Sequence, residues 1–145
     1  MLSRSLALAL IGAALGMPAA AADPMSVLFV GNSYTFGRVD PVMGYNAAQV
    51  RDLTAPMWLS NPTGSNDFEP HPWGGVAGIF KQLAVQAGLE IDVALSTRNA
   101  ASLRGHLLNS NPAGWDLRGN IASQTWTQVV LQEQSQIPSV DPSNT

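Results

Sequence analysis

Short apolar runs separated by turn-rich segments predict three strands. Residues 26–30 (SVLFV) and 126–131 are short, apolar and rich in β-branched residues, as buried strands are. Residues 90–96 alternate between apolar and polar positions, which is the pattern of a strand with one buried side. Polar and small residues follow each of the three runs directly.

Apolar residues at helical spacing predict one long helix and shorter ones around it. The long helix spans residues 75–88, and Gly88 is a suitable C-terminal stop. Asn99 can cap a short helix, and Asp40-Pro41 can begin another. Residues 59–73 are rich in Pro, Asn and Gly and predict a long loop. The expected core-facing side of the long helix is formed by Val76, Ile79, Phe80, Leu83, Ala84 and Ala87.

Strands that alternate with helices predict an α/β fold built on a parallel sheet. The chain has 145 residues, which is enough for one domain and too few for two. We therefore expect a single domain over residues 23–145, with a three-stranded parallel sheet covered by helices.

The N-terminal segment has the pattern of a secretory signal peptide over residues 1–22. Arg4 supplies a positive start, Leu6 to Leu15 form an apolar run, and Ala20-Ala21-Ala22 offers a cleavage site. A membrane anchor is the alternative, but the run is about half of the roughly 20 residues that a span needs. We expect cleavage after Ala22, export to the periplasm or beyond, and no stable membrane anchor.

Composition excludes several classes of function. The net charge is −3 and no basic stripe is present, so nucleic acid is not an expected partner. The absence of cysteine removes disulfides, thiolate metal sites and a cysteine nucleophile. The two histidines are far apart and form no paired metal motif. We expect neither a metal nor a cofactor.

Polar clusters follow the three predicted strands, at residues 31–35, 96–102 and 132–135. Because ligands of open parallel sheets bind beyond the carboxyl ends of the strands, these clusters are expected to converge. Ser33 could act there as a nucleophile beside free backbone N–H groups. Alternatively, Ser33 could simply cap a helix.

Three segments together resemble the SGNH (GDSL-type) hydrolase family. VLFVGNSYT is similar to its first block, in a variant with Gly-Asn-Ser in place of Gly-Asp-Ser. GGVAGIFKQLAVQAG is similar to the helix that follows, and VVLQEQS to a variant of the third block. The resemblance covers most of residues 27–135 and implies a three-layer, flavodoxin-like α/β fold, incomplete in this chain.

The resemblance implies specific roles for residues at the strand ends. Ser33 matches the nucleophile. The second block should hold a glycine whose N–H helps bind the oxyanion, and Ala100 is the best match within TRNAAS. The third block lacks the usual Gly-x-Asn-Asp, so the side-chain amide of Gln132, or alternatively Gln134, is expected in the oxyanion hole. The sialate O-acetylesterases, a branch with Gln-Gly-Glu-Ser at this place, favour Gln132.

The Asp-x-x-His block that supplies the family's base does not occur in the sequence, so the base is expected beyond Thr145. The irregular stretch before Thr145 fits a truncated domain, which alone should be inactive. His71 and His106 are weaker alternatives for the base. Asn32, His71 and Trp73 are expected to contact substrate.

These features predict an exported serine esterase that deacylates a carbohydrate or another small ester. The leading alternative is a non-catalytic carbohydrate-binding or interaction module that keeps the SGNH scaffold. A third possibility is a phosphate or flavin site at residues 31–35, which an exported protein makes less attractive.

Overall fold

A computed structural model describes residues 24–56, 71–108 and 117–137. The predicted signal peptide, most of the predicted loop at 59–73 and the end of the chain lie outside these residues.

A four-stranded parallel sheet forms the centre of the described structure. Its strands run in the order β2-β3-β1-β4, and every pair is parallel. The predicted α/β class and three strands are confirmed, and β2 is an additional edge strand that the sequence did not reveal. The strands are β1 (Met25–Gly31), β2 (Arg51–Asp52), β3 (Ile91–Thr97) and β4 (Gln128–Leu131).

The register brings the polar clusters to one edge of the sheet. Gly31, the last residue of β1, pairs with Thr97, the last residue of β3. On the other side, Val30 pairs with Leu131, the last residue of β4. The segments that follow these three strands therefore begin side by side.

Helices pack on both faces of this sheet. The described helices are α1 (Ser33–Phe36), a 3-10 helix (Ala47–Gln49), α2 (Gly75–Gln86), α3 (Leu103–Leu108) and α4 (Leu117–Ala122). The helix predicted to start at Asp40-Pro41 is wrong, because residues 40–46 form turns. Asp40 Oδ1 accepts a hydrogen bond from the Gly44 amide at 3.0 Å, which stabilises a turn in place of a helix start.

Two apolar clusters cover opposite faces of the sheet. Phe29 and Leu95 pack on one face with Phe36, Trp73 and the small residues of α2. Leu28, Val30 and Ala94 pack on the other face with Leu117 of α4. Buried residues on both faces of β1 and β3 are typical of parallel strands. In the described part of the chain, no helix is both long and apolar enough to cross a bilayer.

The face that α2 buries matches the predicted one only in part. Ala84 is buried and Phe80 packs against the core, as predicted. Val76, Ile79 and Leu83 are 43%, 42% and 59% exposed, whereas Ala77 and Gly78 are buried. Small residues face inward because the helix approaches another backbone closely. A Cβ added at Gly78 would lie 2.0 Å from the carbonyl oxygen of Tyr45. Periodicity located this helix correctly, but it placed three larger apolar residues on the inner face that are in fact exposed.

Candidate functional site

Asn32 joins the three polar clusters at the carboxyl edge of the sheet. Its backbone N–H donates to Gln132 Oε1 at 3.0 Å, and its side-chain Nδ2 donates to the Ala101 carbonyl at 2.9 Å. Its Oδ1 accepts from the Tyr34 amide at 3.1 Å and so caps α1. The residue is only 1% exposed. Asn32 therefore uses both its donor and its acceptor to hold the edge together.

Gln132 is held in one orientation by the groups around it. Its Oε1 accepts from the Asn32 amide and, at 2.9 Å, from the Thr35 hydroxyl. Because a backbone N–H can only donate, the atom that faces Asn32 must be the amide oxygen. Gln132 Nε2 donates to the carbonyl of Glu133. The amide group predicted for the oxyanion hole is thus engaged within the protein, and its catalytic role stays a prediction.

Ser33 is the first residue of α1, and its side chain is available for chemistry. The residue is partly exposed. Among the described residues, neither its hydroxyl nor its backbone N–H has a hydrogen-bond partner. The interpretation of Ser33 as a helix cap is wrong, since Asn32 is the cap. Ser33 therefore has a hydroxyl and an N–H at the sheet edge that the described part of the fold leaves available.

Ala100 adopts a backbone conformation that favours glycine. Its φ is 56°, in the left-handed region that residues with a Cβ rarely occupy. The next residue, Ala101, is the one whose carbonyl Asn32 binds. The position at which the resemblance expects a glycine is therefore one where the backbone favours it.

His106 supports the end of β1 from the helix α3. Its Nε2 lies 2.7 Å from the carbonyl oxygen of Gly31, and the residue is 2% exposed. Burial of the ring lowers the pKa of His106 and outweighs the hydrogen bond to Gly31, which raises it. The ring is therefore neutral at neutral pH.

Glu133 fixes the third cluster against the second. Its Oε1 accepts from the Leu103 amide at 3.0 Å, at the start of α3, and from the Gln134 amide at 2.6 Å. The side-chain oxygen of Gln134 accepts from the Gln136 amide at 2.7 Å. The carboxylate thus serves to cap a helix, which orders the chain after β4.

His71 and Trp73 lie in the core beside Asp52. His71 Nδ1 is 2.6 Å from Asp52 Oδ2, and both side chains are essentially buried. The imidazole stacks on the Trp73 ring, with the ring centroids 3.6 Å apart. The Trp73 ring also stacks on Phe36 of α1, with centroids 3.8 Å apart. Neither His71 nor Trp73 presents its ring at the surface, so their predicted contact with substrate stays a prediction without support from their position.

No base is in place beside Ser33 within the described residues. Among them, no histidine or carboxylate is hydrogen-bonded to the Ser33 hydroxyl. The ring of His106 faces Gly31, and the ring of His71 is paired with Asp52. Within 24–56, 71–108 and 117–137, no cluster of three or more potential ligands could hold a metal ion.

The chain was compared with protein-family models, with curated proteins and with solved structures, and none of the three comparisons returned a match. The resemblance to the SGNH hydrolases therefore rests on the three sequence segments.

Sequence reasoning missed the pairing of Asp52 with His71 and the coupling of His106 to Gly31. Both involve residues that are far apart in sequence. The only sequence feature that pointed to Asp52 is its place as a polar residue after Val50 and Arg51, at the end of a very short strand. A stretch this short has no measurable periodicity.

Proposed function

We propose that the protein is a serine ester hydrolase of the SGNH type, exported and acting on an acylated carbohydrate or another small ester. One observation carries the proposal. Ser33 lies at the carboxyl end of the inner strand β1, with a hydroxyl and an N–H that no other described residue binds, in a turn held by two neighbouring segments. Active sites of parallel sheets lie at this edge.

The proposed reaction uses Ser33 as the nucleophile. Its Oγ forms a bond to the carbonyl carbon of the ester, and the carbonyl π electrons move onto oxygen. The N–H groups of Ser33 and Ala100 would bind that oxyanion. When the carbonyl re-forms, the alcohol leaves with the proton taken from Ser33, and water then hydrolyses the acyl-enzyme to the free acid.

The proposal needs a base that accepts the Ser33 proton. A serine hydroxyl is a weak nucleophile without one. We place that base outside the described residues, as the resemblance implies. The exposed strand β4 supports a larger sheet. Val129, Val130 and Leu131 are 40%, 40% and 57% exposed although parallel strands are normally covered on both faces. A further strand beside β4, together with the helices that pack over it, would cover them.

A non-catalytic carbohydrate-binding or interaction module is the second candidate. The engagement of Gln132 Nε2 by the Glu133 carbonyl favours it, because the amide expected in the oxyanion hole is used inside the fold. Tyr34, which is 66% exposed next to Ser33, could then stack on a sugar.

Ester hydrolysis by the native exported protein separates the two candidates. Purified wild-type protein and the Ser33→Ala variant would be assayed with p-nitrophenyl acetate and with acetylated sugars, with Ser123→Ala, an exposed serine after α4, as a matched control. The hydrolase proposal expects activity in the wild type and in the control, and a loss of about a thousandfold or more in Ser33→Ala. Equal activity of Ser33→Ala and wild type would contradict it, and sugar binding without hydrolysis would support the module.

A further inference from the structure

The peptide unit between Gly31 and Asn32 is held at both ends. Its N–H, which belongs to Asn32, donates to Gln132 Oε1 at 3.0 Å. Its carbonyl, which belongs to Gly31, accepts from the Arg98 amide at 3.1 Å and from His106 Nε2 at 2.7 Å. Groups from three other segments thus set the orientation of this peptide plane. Ser33 is the next residue after that plane.

The ring state of His106 follows from its contacts. A carbonyl oxygen only accepts, so Nε2 must carry the proton. In the neutral ring Nδ1 then holds a lone pair, and among the described residues this buried atom has no hydrogen-bond partner. A proton on Nδ1 would be a buried donor without an acceptor, which is costly. The surroundings therefore favour one tautomer, with the proton on Nε2.

The space around Gly31 leaves this turn little freedom. A Cβ added at Gly31 would lie 2.2 Å from Thr35 Oγ1 and 2.7 Å from Gln132 Oε1. The first turn of α1 therefore packs directly against the end of β1. A rotation of the peptide plane at Gly31 would move Asn32 off its partners and displace Ser33 with it.

We infer that His106 is a positioning residue for Ser33, because its Nε2–H bond to the Gly31 carbonyl fixes the peptide plane between Gly31 and Asn32, which directly precedes the nucleophile. The inference rests on the proposed function of Ser33. His106 is not in place to act as the base, since its Nδ1, the nitrogen that holds the lone pair, is buried and has no hydrogen bond to Ser33 among the described residues. The charged groups that act on its ring are Arg98, after β3, and Glu133, after β4.

Two variants of His106 separate positioning from core packing. Glutamine places its Nε2 near the position of the imidazole Nε2 and can still donate to Gly31, whereas the shorter asparagine cannot reach that far. In the full native protein, the rate at which a fluorophosphonate reacts with Ser33 should fall by about tenfold to a hundredfold in His106→Asn. His106→Gln should recover most of that rate. Thermal unfolding of each variant shows whether it is folded.

Hydrogen exchange of the amides of Thr35 and Phe36 provides a readout that does not depend on catalysis. It should be faster in His106→Asn than in wild type and restored in His106→Gln. Unchanged reaction and exchange in His106→Asn would overturn the inference, as would equal losses in both variants. If the wild type does not react at all, the proposed function fails, and the exchange rates still decide whether His106 holds the turn.

Discussion

Replacing Asn32 with aspartate tests the hydrogen-bond network around Ser33 directly. The two side chains have the same shape, so packing is preserved. In the wild type, Nδ2 donates to the Ala101 carbonyl at 2.9 Å while Oδ1 caps α1. An ionised aspartate would place an oxygen against that carbonyl with its charge in a site that is 1% exposed. Only the protonated acid can donate there.

The magnitude of the Asn32→Asp effect follows from this requirement. Keeping the acid protonated costs about 1.4 kcal/mol for each pH unit above the ordinary pKa of aspartate. About pH 7 lies roughly three units above that pKa, so the free energy of unfolding should fall by at most about 4 kcal/mol. At about pH 5 the free energy of unfolding should fall by at most about 1.5 kcal/mol. The sign is that of a group whose pKa is raised by folding, and the loss therefore grows as pH rises.

Urea unfolding of wild type and Asn32→Asp at the two pH values measures this effect. Asn46→Asp is a matched control, because the Asn46 amide also donates to a carbonyl, that of Gly78 at 3.3 Å, but from a partly exposed position. The free energy of unfolding of Asn46→Asp should fall by about 1 kcal/mol or less. A loss in Asn32→Asp that is equally large at both pH values, or no larger than in the control, would refute the reasoning.

Three further predictions concern the backbone and pH. Gly78→Ala should destabilise the protein by about 2 kcal/mol or more, since its Cβ would lie 2.0 Å from the Tyr45 carbonyl oxygen. Gly105→Ala should change the midpoint of urea unfolding much less, because the nearest atom to its Cβ would be Ser102 Oγ at 3.3 Å. Ala100→Gly should stabilise the protein by about 1 kcal/mol in the same assay, because φ at this position is 56° and a residue with a Cβ is strained there. A loss of stability in this variant would contradict the prediction. The lowered pKa of His106 means that the unfolded chain binds the proton more tightly. The contribution of neutral His106 to the free energy of unfolding should therefore be complete above the ordinary pKa of histidine and be lost as pH falls below it. The free energy of unfolding of wild type and of His106→Gln, measured against pH, gives this contribution as the difference between the two slopes.

Much of the fold could be predicted because its strands and longest helix are strongly patterned. The runs that became β1, β3 and β4 are apolar enough to mark strands, although only β1 and β3 are buried, and the polar residues after them converge as expected. The two-residue strand β2 is too short to leave a pattern. The inner face of α2 was assigned only partly correctly. Phe80 and Ala84 pack inward as predicted, but Val76, Ile79 and Leu83 are exposed, because glycine and alanine are the residues that allow the approach to Tyr45.

The candidate site was predictable in its position but not in its connections. Ser33 and its neighbours could be located from their place after β1. That Asn32 caps α1, that Gln132 turns its oxygen toward Asn32, and that His106 binds Gly31 depend on side-chain orientations across long sequence separations. Patterns along one sequence carry no information on such orientations. The presence of asparagine before Ser33 now has a physical reason, since an ionised aspartate could not donate to Ala101.

The most direct test of the central claim is to locate the covalent adduct that a fluorophosphonate forms with the native exported protein. The reacted protein would be digested and its peptides sequenced by mass spectrometry, with Ser33→Ala treated in parallel. The hydrolase account predicts a single adduct on Ser33 that is absent from the variant. An adduct on another residue, or no adduct on a folded wild-type protein, would contradict it.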